Sequence, residues 1–204
     1  MLMRPTVNPT ASMASSSRAA PCMSAALPGK ARYFPFAKPP AELEGYVGSE
    51  DGFDPLGISE NVSMLWLREA ELKHGRIAML AVVGFIVPDA GLWKLDNDVF
   101  APSILAHDAC ASQPYGGPLG QVWLFCAAIE VFVGMPALVF TMISGGERAA
   151  GDFAFDPLGL GGGSAAQREA MQYKELKHGR TAMLAFGGIA TQAALGHPGF
   201  PYVW

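Results

Sequence analysis

Three stretches of the chain are rich in apolar residues, and one of them is long enough by itself for a helix crossing a bilayer. Residues 119–143 are almost unbroken apolar sequence, with one acidic interruption at Glu130. A bilayer core takes about 20 helical residues to span, so this stretch predicts a transmembrane helix. The apolar runs 77–87 and 181–194 are too short to span alone. Extended back through the polar residues before them, they predict helices over about 61–88 and 166–195. That extension places Glu, Lys, His and Arg inside the membrane or at its edge. Pro88 and Asp89 end the first helix, because proline cannot continue it. The segment GHPGFPYVW (196–204) ends the third, with aromatic residues suited to an interface, and Trp66, Trp93 and Trp123 suit the same belts. The connections 92–117 and 145–165 read as loops with short amphipathic pieces.

Superimposed on this pattern is an internal repeat. Residues 71–86 read ELKHGRIAMLAVVGFI and residues 175–190 read ELKHGRTAMLAFGGIA, identical at eleven of sixteen positions. Each copy follows an F-D-P-L-G string, at 53–57 and 155–159. Two strings repeated in the same order and at nearly the same displacement define a unit, present twice: a turn, a polar connection and a long helix.

A charge at the bilayer centre costs about 2.5–3.5 kcal/mol on insertion scales, so two copies of Glu-x-x-His-x-Arg need partners. Glu71 and His74, three residues apart, share a helix face. Arg76 is rotated away from its own glutamate and is placed to reach another helix. If the first and third helices cross as a pseudo-twofold pair, Arg76 meets Glu175 and Arg180 meets Glu71. Each pair is then neutral and its burial tolerable. The carboxylates keep unused lone pairs, and a neutral histidine keeps one ring nitrogen free to ligate. The small residues Gly75, Ala78, Ala81 and Gly84, and Gly179, Ala182, Ala185 and Gly188, allow close helix approach and leave room for a flat cofactor. The same residues also suit two helices locked by reciprocal salt bridges around packed histidines. Lys73 and Lys177 read as snorkelling or surface residues.

Two ELKHGR helices, each after an F-D-P-L-G turn and flanking a middle helix, resemble the three-helix light-harvesting chlorophyll a/b- and a/c-binding family. The resemblance covers about residues 50–195. Histidine in both copies and the GFPY ending are most similar to the algal chlorophyll a/c antenna branch. The resemblance implies an all-α membrane protein with three transmembrane helices plus short amphipathic helices. It implies axial ligands to chlorophyll magnesium at Glu71, His74, Glu175, His178 and Gln192, and at Gln121 and Glu130 in the middle helix, with Arg76 and Arg180 bridging the glutamates. The family often compensates the middle-helix glutamate with an arginine one turn on, where this chain has Val133. His107 is either an extra ligand or an ordinary amphipathic-helix histidine, and His197 reads as a solvated loop residue. The F-D-P-L-G turns either position carotenoid end groups or are proline-fixed turns that start a helix.

The implied cofactors are chlorophyll a, chlorophyll c and xanthophyll carotenoids, with a structural lipid. The implied function is harvesting light and passing excitation to a photosystem. Its partners are photosystem core subunits, neighbouring antenna proteins and thylakoid lipids, in a multi-pass plastid protein that is not an enzyme. A photoprotective, energy-dissipating relative has the same motif residues. A membrane di-iron enzyme, which also uses Glu-x-x-His pairs, is one helix carboxylate short.

Composition agrees. The chain has 204 residues, 50% hydrophobic and 16% charged, with a net charge of −4 and no basic footprint for nucleic acid. Cys22, Cys110 and Cys126 have no metal or redox spacing and suit buried, inert thiols. Residues 1–23 are Ser/Ala-rich, basic and without acid, like an organelle transit segment or a disordered tail. Residues 24–204 then form a single pigment-binding domain.

Overall fold

The computed structural model describes residues 40–43, 45–49, 52–90, 103–143, 148–159, 163–197, 200 and 202. The expected transit segment, Cys22 and Trp93 lie outside them. The described residues are helical, with no strand among them. They form α1 (Ile58–Asn61), α2 (Met64–Asp89), α3 (Ser103–Ala111), α4 (Gly117–Ile129), α5 (Met135–Ile143) and α6 (Ala165–Ala194). A π turn, Glu130–Gly134, joins α4 to α5, so residues 117–143 run as one middle helix.

The boundaries show local chemistry that periodicity misses. The first long helix starts at Met64, not near 61, because Val62 is extended (φ −124°, ψ 137°) and cuts off α1 as a separate turn. Pro88 lies inside the last turn of α2, which runs one residue further to Asp89. α6 starts with a reciprocal cap: Ser164 N–H donates to Gln167 Oε1 at 2.9 Å, and Gln167 N–H to Ser164 Oγ at 3.4 Å.

Among the described residues, only the middle helix is long and apolar enough to cross a membrane by length and composition (mean hydropathy 2.1). α2 and α6, at 26 and 30 residues, have the length, about 39 and 45 Å at 1.5 Å per residue, but carry the charged motif. They cross at Gly75 and Gly179, both buried. A Cβ on Gly75 would lie 3.0 Å from the Gly179 Cα. The missing side chains let the backbones touch.

Burial is inverted relative to a water-soluble domain. Arg68, Glu69 and Thr141 are buried, whereas Leu80, Phe132 and Leu184 are 76%, 78% and 80% exposed. Large apolar side chains cover the outside of the middle helix and the outer faces of α2 and α6. Such continuous apolar surface is not left to water in a stable protein. Cys126, expected to be buried, is exposed on this surface, and Cys110 is half-buried.

Candidate chromophore-binding site

The crossing brings the two motifs together. Arg76 Nε donates to Glu175 Oε1 at 2.7 Å, and Arg180 Nε donates to Glu71 Oε1 at 2.7 Å. Each guanidinium makes a second, equivalent bond to a loop carbonyl: Arg76 Nη1 to Gly151 O at 2.9 Å and Arg180 Nη1 to Gly48 O at 3.1 Å. Gly48 and Gly151 both have φ +76°, which glycine adopts without strain. A Cβ on either would collide with a leucine of the opposite helix, Leu176 or Leu72. The repeat therefore reaches upstream of the F-D-P-L-G turns and includes a glycine that anchors each cross-helix arginine. The sequence carries this signal as a glycine before each turn, but the two spacings differ by one residue.

The pairs are not equivalent in charge. Arg68 Nη1 also donates to Glu71 Oε2 at 2.8 Å and stacks on Tyr46. Glu71 is thus held by two arginines and Glu175 by one, whereas symmetric neutral pairs were expected from the sequence. Position 172, the counterpart of Arg68, is glutamine. Beside Arg68, buried Glu69 accepts the Gly151 N–H at 2.6 Å and Arg148 Nη2 at 3.1 Å. Arg148 Nε donates in turn to Thr141 Oγ1 at 2.8 Å. This network joins α2, the 148–154 turn and the end of the middle helix, and the sequence reading had not singled out any of its members.

The two motif histidines share one arrangement. The Nδ1 atoms of His74 and His178 each lie 2.8 Å from the carbonyl oxygen four residues back, Ala70 O and Lys174 O. A bond to that acceptor places the proton on Nδ1. It directs the Nε2 lone pair outward from the exposed ring, the arrangement a metal-ligating imidazole uses. Glu175 Oε2 has no partner among the described residues. Gln121 is exposed on α4, and Gln192 is half-buried near the end of α6. His107 is exposed on α3 and His197 follows α6.

Glu130 meets a partner the sequence reading had sent to the surface. Lys73 Nζ donates to Glu130 Oε2 at 2.6 Å, tying α2 to the middle helix. Beside the same segment, a recess of about 340 Å³ is lined by Val133, Ala137, Arg148, Asp152, Phe153 and Ala154. No group of three His, Cys, Asp or Glu side chains that could hold a metal ion occurs among the described residues. The motif glutamates are turned into arginines instead of toward a shared point.

The F-D-P-L-G turns have one shape, with Gly57 and Gly159 both at φ +63° and each donating to the carbonyl of its Asp. The first also starts a helix: Asp54 accepts from Ile58 N–H at 3.1 Å, Ser59 N–H at 2.9 Å and the Ser59 hydroxyl at 2.6 Å. Burial pushes the Asp54 carboxyl up, but hydrogen bonds from Ser59, Ile58 and Gly57 outweigh it and hold the group below its ordinary 3.8.

Comparison with known proteins decides the family. The family model for chlorophyll A-B binding protein matches residues 39–194. The chain belongs to the chlorophyll a-b binding family. A fucoxanthin-chlorophyll a-c binding protein of Chattonella marina var. antiqua is 35% identical over 76% of this chain and 71% of its own. Chlorophyll a-b binding protein 7 of Solanum lycopersicum is 31% identical over 80% of this chain and 65% of its own length. The light-harvesting complex stress-related protein 3.1 of Chlamydomonas reinhardtii is 33% identical over 74% and 62%. The family span takes in both ELKHGR helices, both F-D-P-L-G turns and the middle helix, the strings on which the resemblance was drawn.

Proposed function

We propose that this chain is a light-harvesting antenna protein of the plastid thylakoid membrane, not an enzyme. It holds chlorophylls and carotenoids and passes excitation energy to a photosystem. Family membership supports the class. The observation that carries the site assignment is the pair of histidines whose Nδ1 atoms are engaged by helix carbonyls while Nε2 faces outward.

Chlorophyll brings a magnesium that takes an axial ligand and a ring system that absorbs light and exchanges excitation. The chain's residues supply positions. His74 and His178 offer Nε2, while Glu71 and Glu175 offer carboxylate lone pairs. Glu130, Gln121 and Gln192 offer side-chain oxygens from surfaces with apolar neighbours, and His107 is a further candidate. Arg76 and Arg180 hold the glutamates in place. Beyond the crossing, a Cβ at Gly84 or Gly188 would meet nothing within 4 Å, so flat rings have room against the helices. The carboxylate and amide oxygens are hard donors of the class that suits magnesium.

The three-span topology is part of this proposal. Reciprocal pairing neutralises the motif charges, which lets α2 and α6 join the apolar middle helix across the bilayer. Chlorophyll a with chlorophyll c and xanthophylls is the expected complement, given the fucoxanthin-chlorophyll a-c relative. Structural lipid, neighbouring antenna subunits and a photosystem core are the expected partners.

The test is absorption and fluorescence excitation of the native protein, with its pigments extracted and counted. Several chlorophylls per chain and carotenoid bands that sensitise chlorophyll emission are expected. A colourless protein overturns the proposal. A fluorescence lifetime that shortens at low pH turns it toward the dissipating role that the stress-related relative's name suggests.

A further inference from the structure

We infer that Lys73 is the residue that holds the Glu130 carboxylate in place as a pigment ligand, so that this middle-helix site is completed by a neighbouring helix. The inference rests on the assignment of Glu130 as a ligand made above.

Glu130 is the one acidic residue of an otherwise apolar helix. The middle helix offers no cation within a turn: the residues from Cys126 to Gly134 are Cys, Ala, Ala, Ile, Glu, Val, Phe, Val and Gly. The ammonium arrives instead from α2, at 2.6 Å from Oε2. The Glu130 side chain stays 52% exposed, so the pairing does not bury it.

Three local features fit this arrangement. The first is Gly134, buried at the contact. A Cβ there would collide with Glu130 Oε2 and come within 3.2 Å of Lys73 Nζ. The second is the π turn, which begins at Glu130 itself, with Met135 N–H bonded to Glu130 O. Such turns are rare and gather at functional positions. The third is Phe153, whose ring centroid lies 5.9 Å from Lys73 Nζ and shelters the ammonium from the 148–154 side.

Lys73 is a positioning residue here and does not touch the metal. The test refolds the full chain with chlorophyll a and a xanthophyll mixture. It compares wild type, Lys73→Met, Lys73→Arg and Glu130→Ala by pigment count and by absorption difference spectrum. Lys73→Met and Glu130→Ala should lose the same single chlorophyll with superimposable difference spectra, and Lys73→Arg should keep it. If Lys73→Met does not assemble, Gly134→Val, which blocks the pair without touching either charge, should give the Glu130→Ala spectrum. A Lys73→Met protein with full pigment, beside a depleted Glu130→Ala, overturns the role of Lys73 and leaves the ligand standing. A Lys73→Met protein that loses pigments beyond those lost in Glu130→Ala also overturns it, because the lysine is then supporting the fold. Full pigment in Glu130→Ala removes Glu130 as a ligand, and this inference falls with it.

Discussion

Gly75 and Gly179 meet backbone to backbone where α2 and α6 cross. A Cβ on Gly75 would stand 3.0 Å from the Gly179 Cα, and one on Gly179 would stand 3.1 Å from the Gly75 Cα. In both cases the obstacle is main chain, which cannot rotate aside. Overpacking of this kind costs about 1–3 kcal/mol. It also pushes apart the ion pairs on either side of the contact. Gly75→Ala should lower the thermal midpoint of the refolded protein, and Gly75→Val should lower it further. The loss of visible circular dichroism on heating follows both. An unchanged midpoint in Gly75→Val would show that the crossing is looser than described.

The unequal charge around the two glutamates gives a second prediction. Removing Arg180 leaves Glu71 with Arg68, whereas removing Arg76 leaves Glu175 with no cation bonded to it among the described residues. With symmetric pairs, Arg180→Leu would release the pigment from Glu71. The second guanidinium changes that expectation. Arg76→Leu should deplete chlorophyll more than Arg180→Leu, and the double variant Arg68→Leu/Arg180→Leu should match Arg76→Leu. A hydrogen bond to a charged group is worth about 1.5–3 kcal/mol, enough to separate the variants in a pigment count. Equal depletion by the two single variants counts against Arg68.

Asp54 gives a dependence on pH. Its pKa lies below the ordinary 3.8 because Ser59, Ile58 and Gly57 donate to it against the effect of burial. A depressed carboxyl contributes stability that is fully present above the unfolded value. That contribution is lost as pH falls through the folded one. The stability difference between wild type and Asp54→Ala should therefore be constant from neutral pH to about pH 5 and shrink below the ordinary carboxylate range. Unfolding at a series of pH values measures it. A difference that persists at the lowest pH would mean that the Ser59 bonds do not depend on ionisation.

The parts of this architecture that were legible in the sequence are those written in identity and period. The repeated strings placed Arg76 against Glu175 and Arg180 against Glu71. The apolar run placed the middle helix to within two residues of its start. What stayed hidden depended on the third dimension or on spacing that drifts. Gly48 and Gly151 do the same work but sit at different distances from their F-D-P-L-G turns, so a search for identical strings passes over them. Lys73 looked like its twin Lys177 until the middle helix came beside it. Tyr202, taken from the sequence as an interfacial aromatic, is buried and donates to Asp89 Oδ2 at 2.5 Å. A residue near the end of the chain thus closes on the end of α2 over a separation that no local pattern encodes. The ligand roles lie a step further away, because a free lone pair is visible in a structure but its occupant is not.

Glu69 is where the asymmetric half of the molecule is secured. It is 3% exposed, and its Oε2 accepts both the Gly151 N–H and Arg148, while Oε1 is buried without a partner among the described residues. Through Gly151 it steadies the same residue whose carbonyl receives Arg76, and through Arg148 it reaches Thr141 on the middle helix. Taking away one partner of a buried charged pair costs about 3–5 kcal/mol, mostly through the group left behind. Glu69→Ala should therefore destabilise the protein by about that much, and Arg148→Met, which leaves the carboxylate buried alone, by a similar amount. Glu69→Ala/Arg148→Met removes both charges together, and its cost should fall well short of the two single costs added, as expected for residues in one network. Denaturant unfolding of all three variants supplies the cycle. Strict additivity would mean that Glu69 and Arg148 are held separately and that the link from α2 to the middle helix runs through Lys73 and Glu130 alone.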